Sequence, residues 1–193
     1  MSDATSGQLE VAILGGGCFW CLEAVYQNVS GVRQVVSGYM GGHVARPGYE
    51  EVCGKKTGHA EVVRIAFDPS LLGYEKLLEI FFSIHDCTTP DRQGNDVGPQ
   101  YRSVIFATSA SQLRIAQQMI AALRAQGIEP VTELIDVCDT QGIGTEPVEK
   151  VFWRAEDEHQ NYFAAHPNQG YCMFVVAPKV KKAQEEFKAL IAR

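Results

Sequence analysis

The sequence predicts an α+β domain folded as a two-layer sandwich, with helices packed over a mixed sheet. Short apolar runs that end in glycines alternate with stretches whose apolar residues recur at helical spacing. The leading elements follow the order strand, helix, strand, strand, helix, strand. A length of 193 residues suits one ordinary domain and is short for two, so residues 1–193 read as a single domain.

Residues 1–8 form a polar tail. Val11 to Leu14 is an apolar strand that runs into Gly15, Gly16 and Gly17. Helical patterning follows from Cys18 to Val29 and stops at Gly31, and Val32 to Tyr39 is the next strand. Met40, Gly41 and Gly42 then open a Gly-rich polar stretch that reaches Gly58. Ala60 to Phe67 is a strand, and Tyr74, Leu77, Leu78, Phe81 and Phe82 place one apolar face on a helix from Gly73 to His85. The polar segment from Asp86 to Gln100 is longer than most loops in compact domains, and such loops are usually functional or disordered. Tyr101 to Ala107 completes a β-α-β-β-α-β series, the split βαβ arrangement of ferredoxin-like sandwiches. Added helices and long loops extend it. Ser109 with Gln112 reads as a capping box for a helix that Gly127 ends, and Val131 to Val137 adds a strand. Ala155 to Ala165 is expected as a short helix, and Pro178 starts a C-terminal helix over residues 178–193.

Composition narrows the function. Lys and Arg number 17 against 23 Asp and Glu, a net charge of −6, which disfavours nucleic-acid binding through the phosphate backbone. No apolar run reaches the ~18 residues of a membrane span, and Met1 to Glu10 lacks an apolar signal core. A cytoplasmic monomer is therefore expected, with no membrane partner and with its six cysteines as thiols.

The sharpest local feature is Gly17-Cys18-Phe19-Trp20-Cys21-Leu22-Glu23 at a strand–helix junction. Cys18 would sit at a helix N-terminus, where free N–H groups and the macrodipole favour its thiolate. Three other readings compete. A dinucleotide-binding turn needs glycine where Trp20 stands. A zinc site needs a second Cys-Xaa-Xaa-Cys or a His pair at finger spacing, and the sequence has neither. Buried packing thiols remain open on this segment alone.

Glu61 shares the apolar face of its strand with Val63, Ile65 and Phe67, so burial should keep it protonated and make it a proton donor. The competing reading puts it at a wet strand end or beside Arg64. Tyr49 and Tyr101 lie at loop–strand junctions and suit hydrogen bonding to a polarised oxygen, or simply rim the fold. Asp96, between Gly94 and Gly98, could orient a tyrosine, bind a substrate amide or cap the turn.

Taken together, these segments resemble the peptide methionine sulfoxide reductases of the A type. The resemblance runs from Gly15 to Cys172. It is carried by Gly17-Cys18-Phe19-Trp20 with Glu23, Ser37-Gly38-Tyr39-Met40-Gly41-Gly42, Tyr49 with Glu51-Val52-Cys53, and Thr57-Gly58-His59-Ala60-Glu61. Gln93-Gly94-Asn95-Asp96, Gln100-Tyr101-Arg102-Ser103, Ala155-Glu156-Asp157 with His159-Gln160, and Gly170-Tyr171-Cys172 continue it in order. The resemblance implies reduction of the S epimer of methionine sulfoxide, free or in proteins, without metal or organic cofactor. It makes Cys18 the nucleophile and Glu61 the acid. Phe19 and Trp20 become the methyl pocket, Tyr49 and Tyr101 the oxygen ligands, and Asp96 a substrate or tyrosine contact. Thioredoxin, or dithiothreitol in its place, would be the reductant.

Where the family often has glycine after Gly-Cys-Phe-Trp, this chain has Cys21. Cys172 matches the family's C-terminal resolving thiol and is the favoured resolver, with Cys21 as the other candidate and an exchange through Cys21 as a following step. Cys53, Cys87 and Cys138 read as packing. A redox sensor or disulfide carrier that uses Cys18 and Cys21 without sulfoxide turnover is the alternative function.

Overall fold

The computed structural model describes residues 8–138 and 147–191. Residues 1–7 of the expected tail, and 192–193 of the expected last helix, lie outside the described residues. The chain forms β1 (Glu10–Gly16), α1 (Phe19–Tyr26), β2 (Val32–Met40), α2 (Tyr49–Cys53), β3 (Ala60–Phe67) and α3 (Tyr74–Ile84). A small hairpin of β4 (Arg92–Gln93) and β5 (Asp96–Val97) follows, then β6 (Ser103–Ala107), α4 (Ala110–Ala125) and β7 (Glu133–Asp136). β8 (Trp153–Arg154), α5 (Tyr162–Ala165) and α6 (Ala177–Glu186) close the described chain.

The main sheet has the order β7-β6-β1-β3-β2-β8. Its central strands β6, β1, β3 and β2 pair antiparallel, as a split βαβ sandwich requires. β7 adds parallel to β6, which makes the sheet mixed. Helices α1, α3, α4 and α6 pack together over one face. Tyr26, Phe67, Leu77, Leu78 and Phe81 fill the layer between them and the sheet. A smaller apolar cluster of Ile13, Met40, Val62, Val104 and Phe106 lies on the opposite face, against Phe152. Among the described residues, no helix is long and apolar enough to cross a membrane.

Several expected boundaries move for physical reasons. Gly15 and Gly16 belong to β1 rather than to a turn. A Cβ on Gly15 would meet Val104 Cγ1 at 2.8 Å, and one on Gly16 would meet the Phe81 ring at 2.8 Å, so close packing explains both glycines. Gly17 alone makes the turn, with φ 95°. The Gly-rich stretch contains α2, which is too short to show periodicity. The capping at Ser109 is shifted: its hydroxyl accepts the Gln112 N–H, but the Gln112 side chain accepts the Thr108 N–H instead of that of Ser109. The expected helix over Ala155 to Ala165 is broken into a 3-10 turn, Asp157–His159, and α5, because Asn161 takes left-handed φ 54°.

The C-terminal helix does not start at Pro178. Helical backbone already runs through residues 170–171, and a π-helical turn, Cys172–Val176, leads directly into α6. Pro178 has no N–H to give and its ring clashes with the carbonyl of residue 174 in a regular helix, which a widened turn relieves. The Ala177 N–H accordingly reaches back to the Cys172 carbonyl.

Candidate active site

The turn at Gly17 delivers Cys18 as the N-cap residue of α1, with Phe19, Trp20 and Cys21 in the first turn. Glu61, near the start of β3, lies opposite Tyr39 of β2. It is 1% exposed, and the Phe19 N–H donates to its Oε2 at 3.0 Å. The Cys18 thiol lies close enough to this carboxyl for each to shift the other's titration. Nucleophile candidate and acid candidate thus meet where β3 passes under the start of α1.

Aromatic rings enclose the junction. Phe19 is wholly buried against Tyr39, His159 and Trp20 at ring separations of 5.7, 5.5 and 6.4 Å. Trp20 stacks on Tyr162 at 3.6 Å, nearly parallel, and meets Tyr171 edge-on at 5.8 Å. Tyr49 opens α2 with its ring 4.3 Å from that of His159. Tyr101 ends the 3-10 turn before β6, and the charges of Glu61, Cys18 and Asp96 all act on its phenol. Asp96 in β5 accepts a 2.5 Å hydrogen bond from the Tyr171 hydroxyl. Of the roles open to Asp96, holding a tyrosine is the one this geometry displays. A cavity of about 430 Å³ lies beside this bond, lined by Asn95, Asp96, Tyr171, Phe174 and Lys179 among others.

Electrostatics separate the groups. Burial pushes the Glu61 carboxyl up to about 8, outweighing the stabilising Phe19 N–H, so it is mostly neutral near pH 7. The low thiol pKa expected for Cys18 is not found. Burial, the Cys21 thiol and the nearby Glu61 carboxylate raise it, and the Trp20 N–H at the helix N-terminus offsets only part of this. Cys21 is shifted the other way, chiefly by its hydrogen bond with Cys18, then by Lys179 and Tyr171, against the effect of burial. Burial, first of all, raises the phenols of Tyr49, Tyr101 and Tyr171, which therefore stay protonated donors.

All six cysteines are free thiols. Cys172 is fully buried at the start of the π-helical turn, and the thiol whose charge acts on it is Cys21. Cys53 is half-buried, and the Tyr49 phenol and Glu61 both act on its thiol. Cys87 is buried away from these groups, and the Cys138 thiol contacts the Ala107 carbonyl.

The fold adds residues to which no role was assigned from sequence. Tyr171 donates its hydroxyl hydrogen to Asp96 and acts on the Cys21 thiol. Glu156 accepts from Tyr39 and Tyr49. The buried Glu23 accepts the Tyr162 N–H at 3.3 Å, which seats α5 on α1. The acidic and aromatic content of Ala155 to Tyr162 was the available signal, but its partners are far away in sequence.

The family model for peptide methionine sulfoxide reductase matches residues 10–190. A peptide methionine sulfoxide reductase MsrA from Ralstonia nicotianae is 57% identical over 93% of this chain and 91% of its own length. One from Sulfolobus acidocaldarius is 53% identical over 93% and 96%. Among solved structures, methionine sulfoxide reductase A of Corynebacterium diphtheriae is similar with a TM-score of 0.72, at 30% identity over 86% of this chain and 78% of that one. Mxr1 of Saccharomyces cerevisiae in reduced form also gives 0.72, at 29% identity over 89% and 95%. The matched span contains every side chain of the thiol–carboxyl–aromatic cluster, and the chain belongs to the peptide methionine sulfoxide reductase family of oxidoreductases.

Proposed function

We propose that the protein reduces the S epimer of methionine sulfoxide, free and in proteins, with Cys18 as nucleophile and Glu61 as proton donor. The observation that carries this reading is the buried, mostly neutral Glu61 carboxyl, held by the Phe19 N–H beside Cys18 inside an aromatic cage. A sulfoxide oxygen leaves only when protonated, and a thiol attacks only as it loses its proton. Phe19 and Trp20 would take the S-methyl group, and Tyr49 and Tyr101 would donate to the oxygen. Glu61 gives its proton to that oxygen and recovers one from Cys18. A bond forms from the Cys18 sulfur to the substrate sulfur; as the protonated oxygen then passes to Cys18, the substrate S–O bond and the transient S–S bond break and a Cys18 S–O bond remains. The substrate sulfur gains two electrons and Cys18 loses two, leaving methionine and a Cys18 sulfenic acid.

The resting geometry favours Cys21 for the next step. Its thiol, one turn along α1, is the group that acts most on that of Cys18 after burial, whereas the thiol that acts on Cys172 is Cys21. Cys21 would condense with the sulfenic acid, releasing water and forming a Cys18–Cys21 disulfide. Cys172 would then attack Cys21, free Cys18 and leave a Cys21–Cys172 disulfide for thioredoxin to reduce. This order inverts the one favoured on sequence position. A chemistry made of thiols alone needs no metal or organic cofactor and suits a reducing cytoplasm. A plain disulfide carrier gains no support, since it has no use for a buried carboxyl and an aromatic cage.

Methionine release from each sulfoxide epimer, with dithiothreitol and then thioredoxin, tests the activity. Turnover of the S epimer alone is expected, and equal use of both epimers would contradict the reading. Disulfide mapping after one equivalent of sulfoxide tests the order. Cys172→Ser should still form Cys18–Cys21, and a disulfide only in Cys21→Ser would show that Cys172 resolves first.

A further inference from the structure

α2 has five residues, of which only Val52 is buried, so neither its length nor its core fixes where Tyr49 stands. The Tyr49 backbone is instead held from outside. Glu156 Oε1 accepts the Tyr49 N–H at 2.7 Å, while Oε2 of the same carboxylate accepts the Tyr39 hydroxyl at 2.9 Å. Tyr39 is wholly buried on β2, packs on Phe19 and lies opposite Glu61 in the sheet. The 3-10 turn after Glu156 then sets the His159 ring against the Tyr49 ring. Burial works against ionisation of Glu156, and the hydrogen bonds it accepts outweigh burial, so the group is a carboxylate able to take both donors. The segment itself is anchored on β2 through the Ala155 N–H to Ser37 and the Gln160 side chain to the Ser37 N–H and carbonyl.

We propose that Glu156 is a positioning residue for sulfoxide reduction: by gripping the Tyr49 N–H and the Tyr39 hydroxyl together, it fixes the Tyr49 phenol at the place of the departing oxygen. This rests on the reading of Tyr49 as an oxygen ligand. Glu156 touches no substrate. Its carboxylate carries the position of β2, where Tyr39 faces Glu61, across to α2. Misplacement of a donor by about 1 Å can cost up to about 100-fold in rate, so a short helix bearing such a donor needs an external fix.

The test is a double-mutant cycle read on the single-turnover rate of methionine release from S-sulfoxide. Glu156→Gln keeps the shape but offers one of the two donors an amide N–H. It should slow the saturated rate about 10-fold with little change in half-saturation, because the phenol serves the oxygen most as charge develops on it. In a Tyr49→Phe background the same substitution should cost less than about 2-fold. Tyr39→Phe, which keeps the ring packing, should show a smaller loss that also vanishes in that background. A Glu156→Gln penalty that persists undiminished in Tyr49→Phe would overturn the positioning role while leaving Tyr49 as an oxygen ligand. A Tyr49→Phe rate equal to wild type would instead remove the oxygen-ligand reading, and the positioning role with it.

Discussion

Replacing Glu61 by Gln should make the protein more stable and nearly inactive. The carboxyl is 1% exposed, and burial lifts it from an ordinary 4.5 to about 8. Below 4.5 the group is neutral in both folded and unfolded chains. As pH rises, the unfolded chain ionises first and gains free energy, while the folded chain holds its proton until about 8. Stability is therefore lost across this interval, by up to about 5 kcal/mol for roughly 3.5 pH units. Gln does not titrate and can still accept the Phe19 N–H. The stability of Glu61→Gln relative to wild type should rise with pH by that order, measured by urea unfolding from about pH 4.5 to 8. Its single-turnover rate near pH 7 should fall about 10²- to 10⁴-fold, the usual worth of a general acid. Above about pH 8 the wild type loses its own acid, so the gap should narrow about tenfold per pH unit. A stability difference independent of pH, or an unchanged rate, would refute the assignment of a buried neutral acid.

Other expectations follow from the same geometry. His85 is buried between the Phe81 carbonyl and the Ser103 hydroxyl, and burial lowers its pKa to about 4. Wild type should thus lose up to about 3 kcal/mol as pH falls from about 6.5 toward 4, and His85→Leu should lack that contribution to the slope in urea unfolding. In Gly17→Ala, φ 95° is strained and the new Cβ lies 2.9 Å from Gln93 Cβ. About 2 kcal/mol of destabilisation is expected, with a slower reductive step because the displaced hairpin carries Asp96, and a thermal midpoint equal to wild type would contradict this. Tyr171→Phe removes the hydrogen bond to Asp96 and the phenol hydroxyl that lowers the Cys21 thiol pKa. Alkylation of Cys21 by iodoacetamide should then shift to higher pH, and an unmoved profile would show that Tyr171 does not support the Cys21 thiolate.

The strands and the two amphipathic helices were legible because each alternates or repeats within itself. Ala60–Phe67 appears with the expected bounds, and its apolar face does carry Glu61 into the core. Cys18 was placed correctly at a helix start from local pattern alone. Its thiol pKa was not, because burial, the Cys21 thiol and Glu61, 43 residues away in sequence, together outweigh the local helix terminus. The region from Ala155 to Cys172 was the least legible. Its path is set by side chains reaching distant partners, Glu156 to Tyr39 and Gln160 to Ser37, and by the left-handed Asn161. Pro178 misled in the opposite direction: it marks a helix start in most settings, but here a π-helical turn absorbs it inside a longer helix.

The central claim is that Cys18, beside a neutral Glu61, takes the oxygen from the substrate. It is tested most directly in a Cys21→Ser, Cys172→Ser double variant treated with methionine S-sulfoxide and no reductant. The account predicts about one methionine released per chain, with one added oxygen located on Cys18 by mass spectrometry. Release of methionine with the oxygen on another residue, or no release while the variant remains folded, would contradict it.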